Sequence, residues 1–137
     1  MNNLNDLSKI GVSVSISLFC YDGGEKKILT VVNKKQPFKN ALTLPNKIMR
    51  PDQSLEDVCS EILKENIGND KIYVEQLNAF GKVYRHPEGR IIDISFYGLI
   101  NLEKDSVVLN IENNAKFVNL ETNPELAFDH NEMIDMG

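Results

Sequence analysis

Residues 42–68, LTLPNKIMRPDQSLEDVCSEILKENIG, run from a short extended segment through a proline-bearing loop into a well-signposted helix. Ser54 is the N-cap candidate, because a serine hydroxyl can accept from the free backbone N–H groups of a first turn. Glu56 and Asp57 follow in that turn, where the helix dipole favours negative charge. Leu55, Val58, Cys59, Ile62 and Leu63 recur at helical spacing and make one apolar stripe. Gly68 ends the pattern, as glycine does where a chain must turn left-handed after a helix. Asp57, Glu61 and Glu65 form an acidic row at four-residue spacing. Such a row is either a solvated helix face or part of a metal site, since hard ions such as Mg²⁺ seek carboxylate oxygens.

Outward from the helix, the periodicity changes. Residues 11–20, GVSVSISLFC, alternate apolar residues with serine before turning more apolar, which predicts a half-buried strand. Asp22-Gly23-Gly24 supplies a tight turn, and the returning strand runs over 27–32. Pro37 and Pro45 discourage regular structure in the loop between that strand and the helix. Residues 72–81 and 91–100 read as strands, joined by a turn segment bearing Pro87 and Gly89. A short strand is expected over 107–111, a late strand over 115–120 and a terminal helix over 124–133. Strands and two helices in this order predict a mixed sheet sandwiched between helices, within a single domain over 1–137.

Composition sets outer bounds. The chain of 137 residues carries a formal net charge of −5, which argues against direct nucleic-acid binding by this domain. Cys20 and Cys59 both sit in apolar stretches and read as buried free thiols. The N-terminus lacks a signal-peptide core and no apolar run reaches membrane-spanning length, so a cytoplasmic protein without membrane contact is expected. No serine or cysteine nucleophile motif and no glycine-rich phosphate loop is present.

The 42–68 segment resembles the Nudix box of Mg²⁺-dependent hydrolases of nucleoside diphosphates linked to another group. That box is glycine, five residues, glutamate, seven residues, then Arg-Glu-aliphatic-x-Glu-Glu-x-Gly-aliphatic. Its defining positions here read Lys47, Gln53, Glu61, Ile62, Leu63, Glu65, Asn66, Gly68 and Asn69, of which Leu63, Glu65 and Gly68 match. Downstream, residues 73–100 resemble one branch, the ADP-ribose hydrolases and the Nudix-related regulators of NAD and sugar metabolism. Glu75, Gln76, Leu77, Phe80, Gly81, Arg85, Pro87, Gly89 and Arg90 stand in that branch's pattern, while His86 and Glu88 depart from it. ELAFDHNEMI at 125–134 is similar to a string of the same branch, which in the regulators precedes a winged-helix domain; none is expected within this chain.

The resemblance implies an α/β fold, the Nudix-type α/β/α sandwich with a mixed sheet. It also implies a Mg²⁺ site, held by helix glutamates, that this chain has largely lost. Ile62 replaces one glutamate with a side chain that cannot coordinate, and Asn66 and Gln53 replace two others with neutral amides. Glu65 is the retained ligand position, and Glu61 lies one turn before it, where the family has arginine. Lys47 stands at the box glycine and is expected either as a free surface lysine or with its ammonium beside Glu65, in space that a metal would otherwise fill. Lys47, Arg50, Arg85 and Arg90 are candidate phosphate contacts, since guanidinium suits phosphate. Phe38 and Tyr84 are candidate aromatic surfaces for a base. His130 is expected to be structural, with Asp129 as a helix cap.

The leading expectation is a catalytically impaired sensor of ADP-ribose or a related nucleotide sugar, homodimeric and needing no cofactor. The alternatives are an active pyrophosphatase using Mg²⁺ at Glu61 and Glu65, and a protein-interaction module that has lost the ligand.

Overall fold

The fold is that of a computed structural model, which describes residues 10–32, 41–80 and 91–122. The elements are β1 (Gly11–Asp22), β2 (Glu25–Val32), β3 (Leu42–Thr43), β4 (Asn46–Ile48), α1 (Leu55–Ile67), β5 (Val74–Phe80), β6 (Ile91–Ile100), β7 (Lys116–Asn119) and a 3₁₀ turn (Leu120–Thr122). The helix expected over 124–133 lies outside the described residues.

The strands build one mixed sheet in the order β3-β2-β1-β6-β5, with β4 also on β1 and β7 also on β2. β1 and β6 are parallel along their lengths, from Gly11 opposite Ile91 to Cys20 opposite Ile100. The remaining pairings are antiparallel. Gly23 and Gly24 close the β1–β2 hairpin with φ of 62° and 82°, the left-handed values that a two-residue primed turn needs.

On its other edge β1 changes partner midway. Its first half pairs with β4, placing Lys47 opposite Val14, and its last residues pair with β2. At the change-over the Ile16 N–H donates to the Pro45 carbonyl at 3.0 Å, so the proline loop stays bonded to the sheet. This partner change brings the box loop to the same end of the sheet as the helix.

α1 forms because both its ends are satisfied. The Ser54 hydroxyl accepts from the Asp57 N–H at 3.1 Å, and the Asp57 carboxylate accepts from the Ser54 N–H at 3.0 Å, a reciprocal capping box. At the other end Gly68 adopts φ 67° and donates its N–H to the Lys64 carbonyl. Val58, Cys59, Ile62, Leu63 and Ile67 pack against Val14, Ile16, Leu18, Cys20 and Leu29 of the sheet. Both cysteines are free and buried, as expected; burial pushes the Cys59 thiol up to about 12, which leaves it protonated and unreactive.

Residues 107–111 are not a strand, contrary to the sequence expectation. Their donors go to the helix instead: Val108 N–H reaches the Ile67 carbonyl at 2.9 Å and Asn110 N–H the Asn66 carbonyl at 3.0 Å. Terminal helix carbonyls lack intrahelical partners, and this segment supplies them.

Candidate functional site

β4, the loop after it and α1 bring four of the expected residues together. Lys47 Nζ lies 2.9 Å from Glu61 Oε2 and 2.5 Å from Glu65 Oε1, spanning two carboxylates one helical turn apart. Arg50 Nη2 reaches the second Glu61 oxygen, Oε1, at 3.0 Å. The Arg50 Nε also approaches Asp52 at 3.9 Å.

Gln53, at the family's loop-glutamate position, is a strut. Its Oε1 accepts from the Arg50 N–H at 2.9 Å, its own N–H donates to the Arg50 carbonyl at 3.1 Å, and its Nε2 donates to Glu61 Oε1. Both oxygens of Glu61 are therefore engaged by groups of this chain. The Glu65 carboxylate first, and then that of Glu61, hold the Lys47 ammonium above its ordinary pKa. Lys47, and after it Arg50, hold the Glu61 carboxyl below the usual carboxylate range.

The other box positions have moved into structural work. Ile62 is 1% exposed and belongs to the core between α1 and the sheet. Asn66 is buried; its Nδ2 donates to the Ile62 carbonyl at 2.9 Å and its Oδ1 accepts from Asn113 Nδ2 at 3.1 Å. Asn66 thus staples the helix to the following loop, where the sequence suggested a weakened metal ligand. Asp57 is likewise taken up by the cap, so it does not join Glu61 and Glu65.

Mg²⁺ demands close octahedral oxygen coordination. Here an ammonium bridges the two carboxylates of the ligand face, and a divalent cation there would face both Lys47 and Arg50. Among the described residues no group of three or more His, Cys, Asp or Glu side chains is placed to hold a metal ion. The residues as arranged do not fit the family's metal.

Phe38, Tyr84, Arg85, His86, Arg90, Asp129 and His130 lie outside the described residues. Directly after Lys47, Ile48 is exposed, whereas Met49 packs on the core.

A second polar constellation escaped the sequence reading. On the sheet face away from α1, the buried Asp93 carboxylate accepts from Ser13 Oγ and Ser15 Oγ, each at 2.5 Å. The buried Ser17 and Ser95 hydroxyls beside them have no hydrogen-bond partner among the described residues. Further along, Glu75 accepts from Tyr97 at 2.6 Å and from Tyr73 at 2.9 Å, and these two hydroxyls, Tyr97 foremost, lower its pKa. The signal was present: serines at alternate positions of β1 and an aspartate inside an otherwise apolar β6 place hydroxyls and a carboxylate on one face.

No family model matches the chain. Over 130 residues it is 28% identical to the ADPR responsive transcriptional repressor NtrR of Acinetobacter baylyi, covering 92% of this chain and 52% of that protein. Over 115 residues it is 28% identical to an ADP-ribose pyrophosphatase of Methanocaldococcus jannaschii, covering 80% and 64% respectively. The chain thus spans between half and two thirds of the length of these curated relatives. Among solved structures, the NUDIX domain of Shewanella oneidensis NrtR complexed with ADP ribose matches with a TM-score of 0.76 at 24% identity, over 99% of this chain and 96% of that one. Shewanella oneidensis NrtR complexed with a 27mer DNA matches with a TM-score of 0.80 at 26% identity, over 91% and 59%. With its mixed sheet, its box helix and these likenesses, the chain is a Nudix-fold domain related to the branch of ADP-ribose pyrophosphatases and ADP-ribose-responsive regulators.

Proposed function

We propose that this domain binds ADP-ribose or a related nucleotide sugar as a regulatory signal and does not cleave it. The observation that carries this reading is the Lys47 ammonium held between Glu61 and Glu65. Hydrolysis in this fold relies on a divalent ion to neutralise the diphosphate and position water. A lysine supplies one positive charge and no exchangeable water, so it can hold a phosphate but cannot generate a nucleophile. Binding and cleavage then come apart: the pocket keeps its ligand and loses the reaction.

In this reading Lys47, Arg50, Arg85 and Arg90 contact phosphates and Phe38 faces the base. The domain works as a cytoplasmic homodimer and leaves any DNA contact to other parts of a regulator. The likeness to an ADP-ribose-responsive repressor supports the ligand class.

A second reading, an active pyrophosphatase, has one observation in its favour. Glu61 and Glu65 remain on the solvent side of α1, next to each other, as a carboxylate pair. ³¹P NMR of ADP-ribose with the protein, first with Mg²⁺ and then with Mn²⁺, separates the two. Shifted but persistent diphosphate signals are expected. New phosphomonoester signals that vanish in Glu65→Gln would overturn the proposal.

A further inference from the structure

We infer that Glu61 and Glu65 act as a brake on anion binding at this site, so that removing a carboxylate tightens the ligand instead of abolishing its binding. The inference rests on the proposed reading that a diphosphate docks on Lys47 and Arg50.

The charge count at the site carries the argument. The two cations, Lys47 and Arg50, face three carboxylates, Glu61, Glu65 and, at 3.9 Å from the Arg50 Nε, Asp52, so the cluster carries no positive excess. Lys47 divides its single charge between both carboxylates, and Glu61 also engages Arg50. A diphosphate arriving here meets no net attraction. It must take hydrogen bonds from Lys47 and Arg50 that the carboxylates now hold, and it must sit beside those carboxylates while doing so. Like charges a few ångströms apart repel appreciably even at the high effective dielectric of a protein surface.

In a metal-dependent member of this fold a glutamate at the Glu65 position would have the opposite sign of effect, because it would help to recruit the cation that binds the phosphates. With an ammonium built in, the recruiting role disappears and the repulsion remains. The half-exposed Glu65 touches Lys47 through one oxygen and has no part in the Gln53 strut, so it can be neutralised without disturbing the loop.

The test is titration calorimetry of inorganic pyrophosphate and of ADP-ribose in EDTA, on the wild type, Glu65→Gln, Lys47→Met and the double variant. Glu103→Gln, an exposed acid on a different loop, controls for net charge. Thermal melts in parallel establish that each variant is folded. Glu65→Gln is expected to tighten both ligands roughly three- to tenfold, as the loss of one nearby like charge implies. Lys47→Met is expected to weaken both and to cancel the gain in the double variant, and Glu103→Gln to do nothing. Weaker or unchanged binding by Glu65→Gln, with the wild type still binding, overturns the brake and leaves the sensor reading standing. An equal gain from Glu103→Gln also overturns it, because the effect would then be general charge. If no folded variant binds either probe, the sensor reading itself fails and the brake falls with it.

Discussion

Lys47 stands where the resembled Nudix box has a glycine. A glycine at that position has no side chain to reach the helix; the lysine extends to it and joins β4 to α1 through Glu61 and Glu65. All three side chains remain partly solvent-exposed, so water screens each pair and its net contribution to stability is small. The sign of the pH dependence follows from the shifts. Glu61 is held below its ordinary value of 4.5, so its contribution is present above that value and is lost as pH falls through the lower folded value. Lys47 is held above 10.5, so its contribution is present below that value and is lost as pH rises through the higher folded value. Chemical denaturation of the wild type and Lys47→Met between about pH 3 and 7 tests the acid limb. The variant should lose less stability on acidification, because its Glu61 has lost its principal cation. An unchanged acid slope would mean that Lys47 is not the partner that matters.

At the scale of elements, α1 carries both the site and the core, and the two demands divide along its faces. Glu61 and Glu65 face solvent, while Ile62 and Asn66 face inward. Restoring a family glutamate at position 62 would place a carboxylate among Val58, Leu63 and the β1 side chains. Ile62→Glu is therefore expected to cost at least about 3 kcal/mol and to lower the melting temperature sharply, without creating a metal site. A melt within a few degrees of the wild type would contradict the packing described. The β1–β6 seam offers a paired contrast. Ser13→Ala removes a donor to the buried Asp93 carboxylate and should cost about 1–2 kcal/mol. Ser17→Ala removes a buried hydroxyl that has no partner among the described residues and should be neutral or stabilising by up to about 1 kcal/mol. Urea denaturation of the two variants decides between them.

At the scale of the whole molecule, ligand binding couples to stability by mass action. ADP-ribose in EDTA at a hundredfold excess over its Kd should add about 2.7 kcal/mol to unfolding, and Mg²⁺ should not increase the gain. A thermal shift that appears only with Mg²⁺ would return the chain to the metal-dependent members of the fold.

Much of this molecule was determined by its sequence alone. The capped helix over 55–67, the two-glycine hairpin and the long strands follow from local chemistry: a serine that accepts N–H groups, glycines that take positive φ, and apolar periods of 3.6 and 2. That residues 53, 62 and 66 are glutamine, isoleucine and asparagine, where the resembled box has glutamates, was also legible, because side-chain identity is read directly from the sequence. The tertiary structure alone decided where those replacements went. Lys47 and Glu65 are separated by 18 positions, and their contact exists because β1 switches from β4 to β2 and packs beneath α1. Asn66 could be read as a poor ligand until the loop bearing Asn113 folded onto it. Residues 107–111 looked like a strand because a β-prone run does not reveal which carbonyls its N–H groups will find; here they are the last ones of α1. Asp93 meets Ser13 across 80 positions because β1 and β6 run parallel, a register that no local pattern in either strand encodes.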